Sequence, residues 1–107
     1  DAIIISFAEH NGSYTAAYKN LFDWASRIDT KVFQQKPMVY LSTSPGPGGA
    51  SNVLASAVQS GPHFGADIKS SLSIGSFHAN FDREKNTIIS KEIQCDLKQA
   101  VQMLNPR

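Results

Sequence analysis

Three short apolar runs, each followed by a stretch with helical spacing, constrain this chain more than any other feature. Ala2 to Phe7 is dominated by β-branched isoleucine and reads as a strand buried on both faces. A second buried strand is expected at Met38 to Leu41, introduced by Lys36-Pro37, where a proline without an N–H suits the first strand position. Ile68 to Ile74 alternates Ile68, Leu72 and Ile74 with Lys69, Ser71 and Ser73 and supplies a third, weaker strand. The order is strand, helix, strand, helix, strand, helix, with no hairpin signal between successive strands. That order predicts an α/β fold: a parallel sheet with right-handed crossovers and helices on both faces.

The helical stretches are read from their stripes. Tyr14, Ala17, Tyr18, Leu21, Ala25 and Ile28 fall at steps of three and four, with Ser13 or Thr15 as the cap and Asp23–Arg27 as an exposed pair. Ala50 to Ser60 carries the stripe Ala50, Val53, Leu54, Ala57 and Val58 and stops at Gly61-Pro62. Ser90 caps a last helix with Ile93, Leu97, Ala100, Val101 and Leu104 inward, stopped by Asn105-Pro106. Gly75 to Thr87 reads as a polar loop anchored by Phe77 and Phe81.

Composition narrows the function classes. Ten Lys and Arg against nine Asp and Glu give a net charge of +1, so there is no basic field to attract nucleic acid or anionic lipid. No run approaches the roughly 18 apolar residues of a membrane span. One domain's core is the most that 107 residues can build. The single Cys95 cannot close an internal disulfide, so the expected compartment is the reducing cytoplasm, with Cys95 a buried or half-buried filler. Asp1 leads straight into the isoleucine run without an initiator Met or a signal-like leader, and the chain is read as beginning inside a longer sequence.

In a parallel α/β sheet, ligands bind at the carboxyl ends of the strands, where loops meet helix N-termini. Two loops occupy that edge: Ala8 to Ser13 after the first strand and Ser44 to Gly49 after the second. Both contain glycine, which lets backbone approach a flat ligand closely. The expected site reads a planar, carbonyl-rich ring mainly through backbone amides.

The segment Ala8-Glu9-His10-Asn11-Gly12-Ser13-Tyr14, then Lys19-Asn20, then Asp23-Trp24, resembles the Pro-Glu-Tyr-Asn-Gly-Ser, Leu-Lys-Asn and Asp-Trp signature of the NADPH-dependent FMN reductase family. Ser42-Thr43-Ser44-Pro45-Gly46-Pro47-Gly48-Gly49 is similar to that family's second flavin loop. Ala8 stands where the family often has Pro, and His10 where it often has Tyr. The resemblance implies a flavodoxin-like fold of which residues 1–107 are the C-terminal part, holding strands 3, 4 and 5 of the order 2-1-3-4-5. The Gly-Ser-x-Arg-x-x-Ser type loop that holds the FMN phosphate in the family has no counterpart here. The isoleucine strand is then expected to be an exposed apolar edge.

By the same resemblance, Glu9, His10 and Asn11 contact the isoalloxazine ring of FMN chiefly through backbone groups, Gly12 is counted with them as cofactor-binding, and Ser44, Gly46, Gly48 and Gly49 line its pyrimidine side. The implied chemistry is hydride transfer from NADPH to FMN and on to a small-molecule acceptor: a quinone, a free flavin, an azo dye or a metal ion. No protein residue is assigned a catalytic role. A homodimer is implied, with the off-stripe aromatics Phe22 and Trp24 as interface candidates. The alternative is a non-catalytic flavodoxin-like electron carrier or partner-binding module. His63, His78 and Cys95 lack metal-ligand spacing, the Gly-rich loop lacks the Lys of a nucleotide P-loop, and there is no Gly-x-Ser-x-Gly elbow.

Overall fold

The computed structural model describes residues 1–105. Strand β1 (Ile3–Phe7) is followed by a two-residue pair, β2 (Glu9–His10) and β3 (Ser13–Tyr14), and then by α1 (Ala16–Ile28). β4 (Pro37–Thr43) leads into α2 (Ser51–Ser60), which tightens into a 3-10 turn over Gly61–Phe64 instead of stopping cleanly. β5 (Asp67–Ile74), the single turn α3 (Phe77–Asn80), β6 (Phe81–Asp82), β7 (Thr87–Ile88) and α4 (Lys91–Gln102) complete the order.

β1, β4 and β5 form a parallel sheet in the order β1-β4-β5, as the alternation predicts. β4 is central, and its Met38, Val39, Tyr40 and Ser42 are buried from both sides. β1 corrects the expectation of burial on both faces. Ile3, Ile5 and Phe7 point into the core, whereas Ser6 is exposed and Ile4 is 48% exposed. The reason is position: β1 is an edge, and the helix on that other face, α4, packs against β5.

The parallel pairing of β1, β4 and β5 agrees with the lack of hairpin signals between them, and two short hairpins lie outside that sheet. β2 and β3 pair antiparallel about Asn11-Gly12, both with positive φ (54° and 80°), the conformation of a two-residue type I′ turn for which Asn-Gly is the favoured sequence. β6 and β7 pair in the same way within the stretch expected to be a polar loop, and Phe77 and Phe81 stack beside them at 4.9 Å.

Helix α1 is capped by Thr15, whose hydroxyl accepts from the Tyr18 N–H at 3.0 Å. Its inward face differs from the expected stripe. Tyr14, Tyr18 and Phe22 stack in steps of four, with centroids 5.2 and 6.0 Å apart, and Phe22 meets Phe64 edge-on at 4.8 Å. Leu21 and Ile28 are 69% and 91% exposed. Long rings reach the core from a helix that stands off the sheet, so the aromatic ladder rather than the aliphatic stripe sets its rotation. Asp23 pairs with Lys19 at 2.9 Å, not with Arg27, which lies in the last turn, where a cation suits the carbonyl end of the helix.

The stripe of α2 holds, with Val53, Leu54 and Ala57 buried. Ser90 caps α4, accepting from the Ile93 N–H at 3.2 Å. Ile93, Leu97, Ala100 and Leu104 are inward, but Val101 is exposed, and so is Cys95, which overturns its reading as a filler. The expected stop at Pro106 lies outside the described residues. Among those residues no helix is long and apolar enough to cross a membrane.

One irregularity sits in β5. Its register against β4 shifts between Met38–Ile68 and Val39–Ser70, leaving Lys69 as an extra residue. Such a bulge reverses the facing of everything after it. Ile68 therefore packs with the core beside α2, whereas Ser70 donates to the Ala100 carbonyl of α4 at 3.0 Å.

Candidate functional site

Because β1 and β4 are neighbours and parallel, the loops at their carboxyl ends lie side by side. Each is held by its own chemistry. The first is the β2–β3 hairpin, stiffened by its Asn-Gly turn. The second is tied to the loop after β5: the Ser76 and Phe77 N–H groups donate to the Gly46 and Ser44 carbonyls at 2.8 and 3.0 Å. Gly75 comes so close to Pro47 that a Cβ there would strike the Pro47 carbonyl oxygen.

The first loop is tied to the helix that follows the second. Glu9 Oε1 accepts a hydrogen bond from the Val53 N–H in the first turn of α2 at 2.7 Å. Between the loops lies a cavity of about 360 Å3, lined by Glu9 and His10 on one side and by Ser44, Pro45 and Gly48 on the other, with Ser51 and Asn52 of α2 behind. A Cβ on Gly48 would meet nothing within 4 Å, so the backbone is open to the cavity there. Among the described residues the lining contains neither Lys nor Arg. A flat, neutral group that reads backbone and hydroxyls suits it, and a phosphate does not.

The eight residues singled out in the sequence divide in two. Glu9, His10, Ser44 and Gly48 line the shared cavity. Asn11 and Gly12 form the hairpin turn, and Asn11 faces an adjacent hollow of about 420 Å3 beside Thr15 and Lys19, which His10 also borders. Gly46 and Gly49 serve the body of the protein. The Gly49 carbonyl accepts from Ser42 Oγ and Ser73 Oγ at 2.7 and 2.9 Å, and its φ is +64°. Ser51 and Asn52 were not anticipated, although a helix start directly behind a glycine loop is a signal for them.

A second, aromatic cavity of about 290 Å3 lies under α1, lined by Phe7, Tyr14, Tyr18, Phe22, Tyr40 and Phe64. Burial pushes the Tyr18 phenol up to about 12, helped by Tyr14, and pushes Tyr40 up as well. This aromatic cavity is more enclosed than the rim cavity and lies beneath helix α1. Among the described residues no three His, Cys, Asp or Glu side chains group as metal ligands.

The model of the NADPH-dependent FMN reductase family matches residues 1–79. Among solved structures, the chain is similar to FerB, a flavoenzyme NAD(P)H:(acceptor) oxidoreductase from Paracoccus denitrificans, with 26% identity and a TM-score of 0.78. The match covers 96% of this chain and 58% of that one, so this chain spans a little over half the length of that structure. No curated protein matches it.

Proposed function

Because this chain belongs to the NADPH-dependent FMN reductase family, we propose that the rim joining its first two loops holds the ring system of FMN in a flavin-dependent NAD(P)H oxidoreductase. The fold is flavodoxin-like, with β1, β4 and β5 as its parallel strands. The observation that carries the proposal is the single cavity of about 360 Å3 shared by both loops, within the roughly 300–1,000 Å3 range of small-molecule sites.

Glu9, His10, Asn11 and Gly12 on the first loop, with Ser44, Gly46, Gly48 and Gly49 on the second, are the proposed cofactor-binding residues. Gly48 leaves room for a ring to lie against the backbone, and Pro45 and Ala50 add apolar surface to the lining. Gly46 and Gly49 act from behind by holding the second loop against the strand after it. Bound at this rim, FMN supplies hydride uptake from NADPH and delivery to a small-molecule acceptor such as a quinone, free flavin, azo dye or metal ion. The protein's part is position and exclusion of water; no side chain is needed as nucleophile or acid.

The proposal includes a homo-oligomer in the cytoplasm. Ala17, Leu21, Trp24 and Ile28 repeat at steps of four, three and four along the outer side of α1, the spacing of a helix–helix seam. Phe22, the other candidate, is used inside the core.

The test is a titration of this chain with FMN and with riboflavin, followed by NADPH oxidation in the presence of a quinone. With neither Lys nor Arg among the described residues of the lining, the two flavins are expected to bind with similar, weak affinity. FMN binding more than about tenfold tighter than riboflavin, a difference of about 1.4 kcal/mol, would contradict a ring-only site. Flavin binding without NADPH turnover would favour an electron carrier.

A further inference from the structure

We propose that the Glu9 side chain is a positioning residue that sets the separation of the two loops, and that its carboxylate works on α2 rather than on a bound ring. This rests on the ring-binding role proposed for the rim.

A helix leaves its first amides without partners, and a Ser, Thr, Asp or Asn at the cap position normally serves one of them. Helix α2 has no such cap. Its cap residue is Ala50, in the left-handed region at φ 59°, with no side chain able to accept. The missing acceptor arrives from 44 residues away: Glu9 Oε1 takes the Val53 N–H, three residues past the cap, which is the amide a local cap would serve. A carboxylate at this end also matches the helix dipole.

The backbone of Glu9 is fixed independently, since it pairs with Tyr14 across the β2–β3 hairpin. Tyr14 in turn reaches the far end of α2, its hydroxyl 3.4 Å from Ser60 Oγ. The hairpin is thus strapped along α2, with Glu9 at the end that faces the cavity. The second loop is already tied to the segment after β5 by the Ser76 and Phe77 amides. Glu9 supplies the matching tie on the first-loop side, so both walls of the cavity are set before any ligand arrives. Glu9 is the one acidic side chain of the lining among the described residues, and the bond to Val53 occupies it, which suits a neutral or electron-rich ring.

The experiment compares Glu9→Gln, Glu9→Asp and Glu9→Ala in the 107-residue chain. Amide hydrogen exchange at Val53 reports the tie, and the riboflavin dissociation constant, measured well below each variant's unfolding midpoint, reports the wall spacing. Gln keeps a carbonyl oxygen at the same reach and is expected to hold Val53 exchange near that of the unsubstituted chain and to bind riboflavin more tightly than Asp or Ala does. Asp is one methylene short and Ala has no acceptor. Both are expected to speed exchange at Val53 and to weaken riboflavin roughly tenfold in molecules that remain folded. Unchanged affinity in Glu9→Ala despite faster exchange would reduce Glu9 to a stabilising cap and overturn the proposal. So would a Glu9→Gln chain as weak as Glu9→Ala, which would point to a need for the charge itself. Unchanged Val53 exchange in Glu9→Ala would remove the tie. Absence of riboflavin binding by the unsubstituted chain would instead refute the ring site, and the positioning role with it.

Discussion

Adding one methyl group at Gly48 or at its neighbour Gly49 should have opposite consequences. At Gly49 the φ of +64° places an L residue in the left-handed region, a cost of about 1–2 kcal/mol. The new Cβ would collide with Ser73 Oγ and lie 2.9 Å from both the Ile74 carbonyl carbon and the Gly75 nitrogen. The serine can rotate away, but it then gives up its 2.9 Å bond to the Gly49 carbonyl, a loss of about 0.5–1.5 kcal/mol. The two backbone atoms cannot rotate, and crowding of this kind costs about 1–3 kcal/mol. Taken together, Gly49→Ala should lose roughly 2.5–6.5 kcal/mol from a chain whose total stability is of order 5–15 kcal/mol. For a domain near 100 residues each kcal/mol is about 4–8 °C, so the melting midpoint should fall by at least about 10 °C. Gly48 has no positive φ and no atom within 4 Å of an added Cβ, so Gly48→Ala should change stability by less than about 0.5 kcal/mol while narrowing the cavity and weakening riboflavin. Thermal melts and flavin titrations of the two variants provide the assay. A Gly49→Ala midpoint within about 2 °C of the parent, or equal destabilisation by both substitutions, would refute the reasoning.

On α1, Phe22→Ala should cost about 2 kcal/mol, below the roughly 3–5 kcal/mol of a fully buried phenylalanine because the ring is only half-buried, whereas Leu21→Ala should stay within about 0.5 kcal/mol; urea midpoints of the two variants check this. The chain should also lose stability in alkali. The Tyr18 phenol ionises near 10 when unfolded but near 12 in the fold, so its contribution is whole below pH 10 and disappears as the pH rises towards 12. Urea unfolding followed between pH 9 and about 12 should show that decline, smaller in Tyr18→Phe; an identical slope in both would exclude the phenol as its source.

The layers and the two-loop rim were legible because both depend on local information: apolar runs of strand length, helix stripes, and glycine directly after a strand. The rotation of α1 was not. Its Leu21 and Ile28 satisfy helical periodicity as well as Tyr14, Tyr18 and Phe22 do, and only the reach of the rings to Phe7, Phe33 and Phe64 decides between the faces. The hairpin at Asn11-Gly12 was legible but hidden inside a segment read as one loop. The edge position of β1 was legible only through the family resemblance, because it is a property of what lies beside the strand and its own isoleucines do not encode it. Glu9 and Val53 are 44 residues apart, and nothing near either one signals that they meet. Gly46, Gly48 and Gly49 look alike in sequence, yet Gly48 opens onto the cavity while Gly49 is wedged against β5.

The surplus residue Lys69 has a consequence that reaches from one side of the molecule to the other. Beyond it, Ser71 and Ser73 stand opposite Tyr40 and Ser42, on the side where Ser73 braces the glycine loop, and Leu72 and Ile74 stand opposite Leu41 and Thr43, under the other layer. Were Lys69 to pair with Val39 instead, with no residue left over, the two sets would exchange sides: aliphatic chains would press up beneath the glycine turn, and hydroxyls would face the outer helix. The foundation of the rim and the seat of α4 therefore share a single phase setting, and neither can be retuned along this strand without disturbing the other.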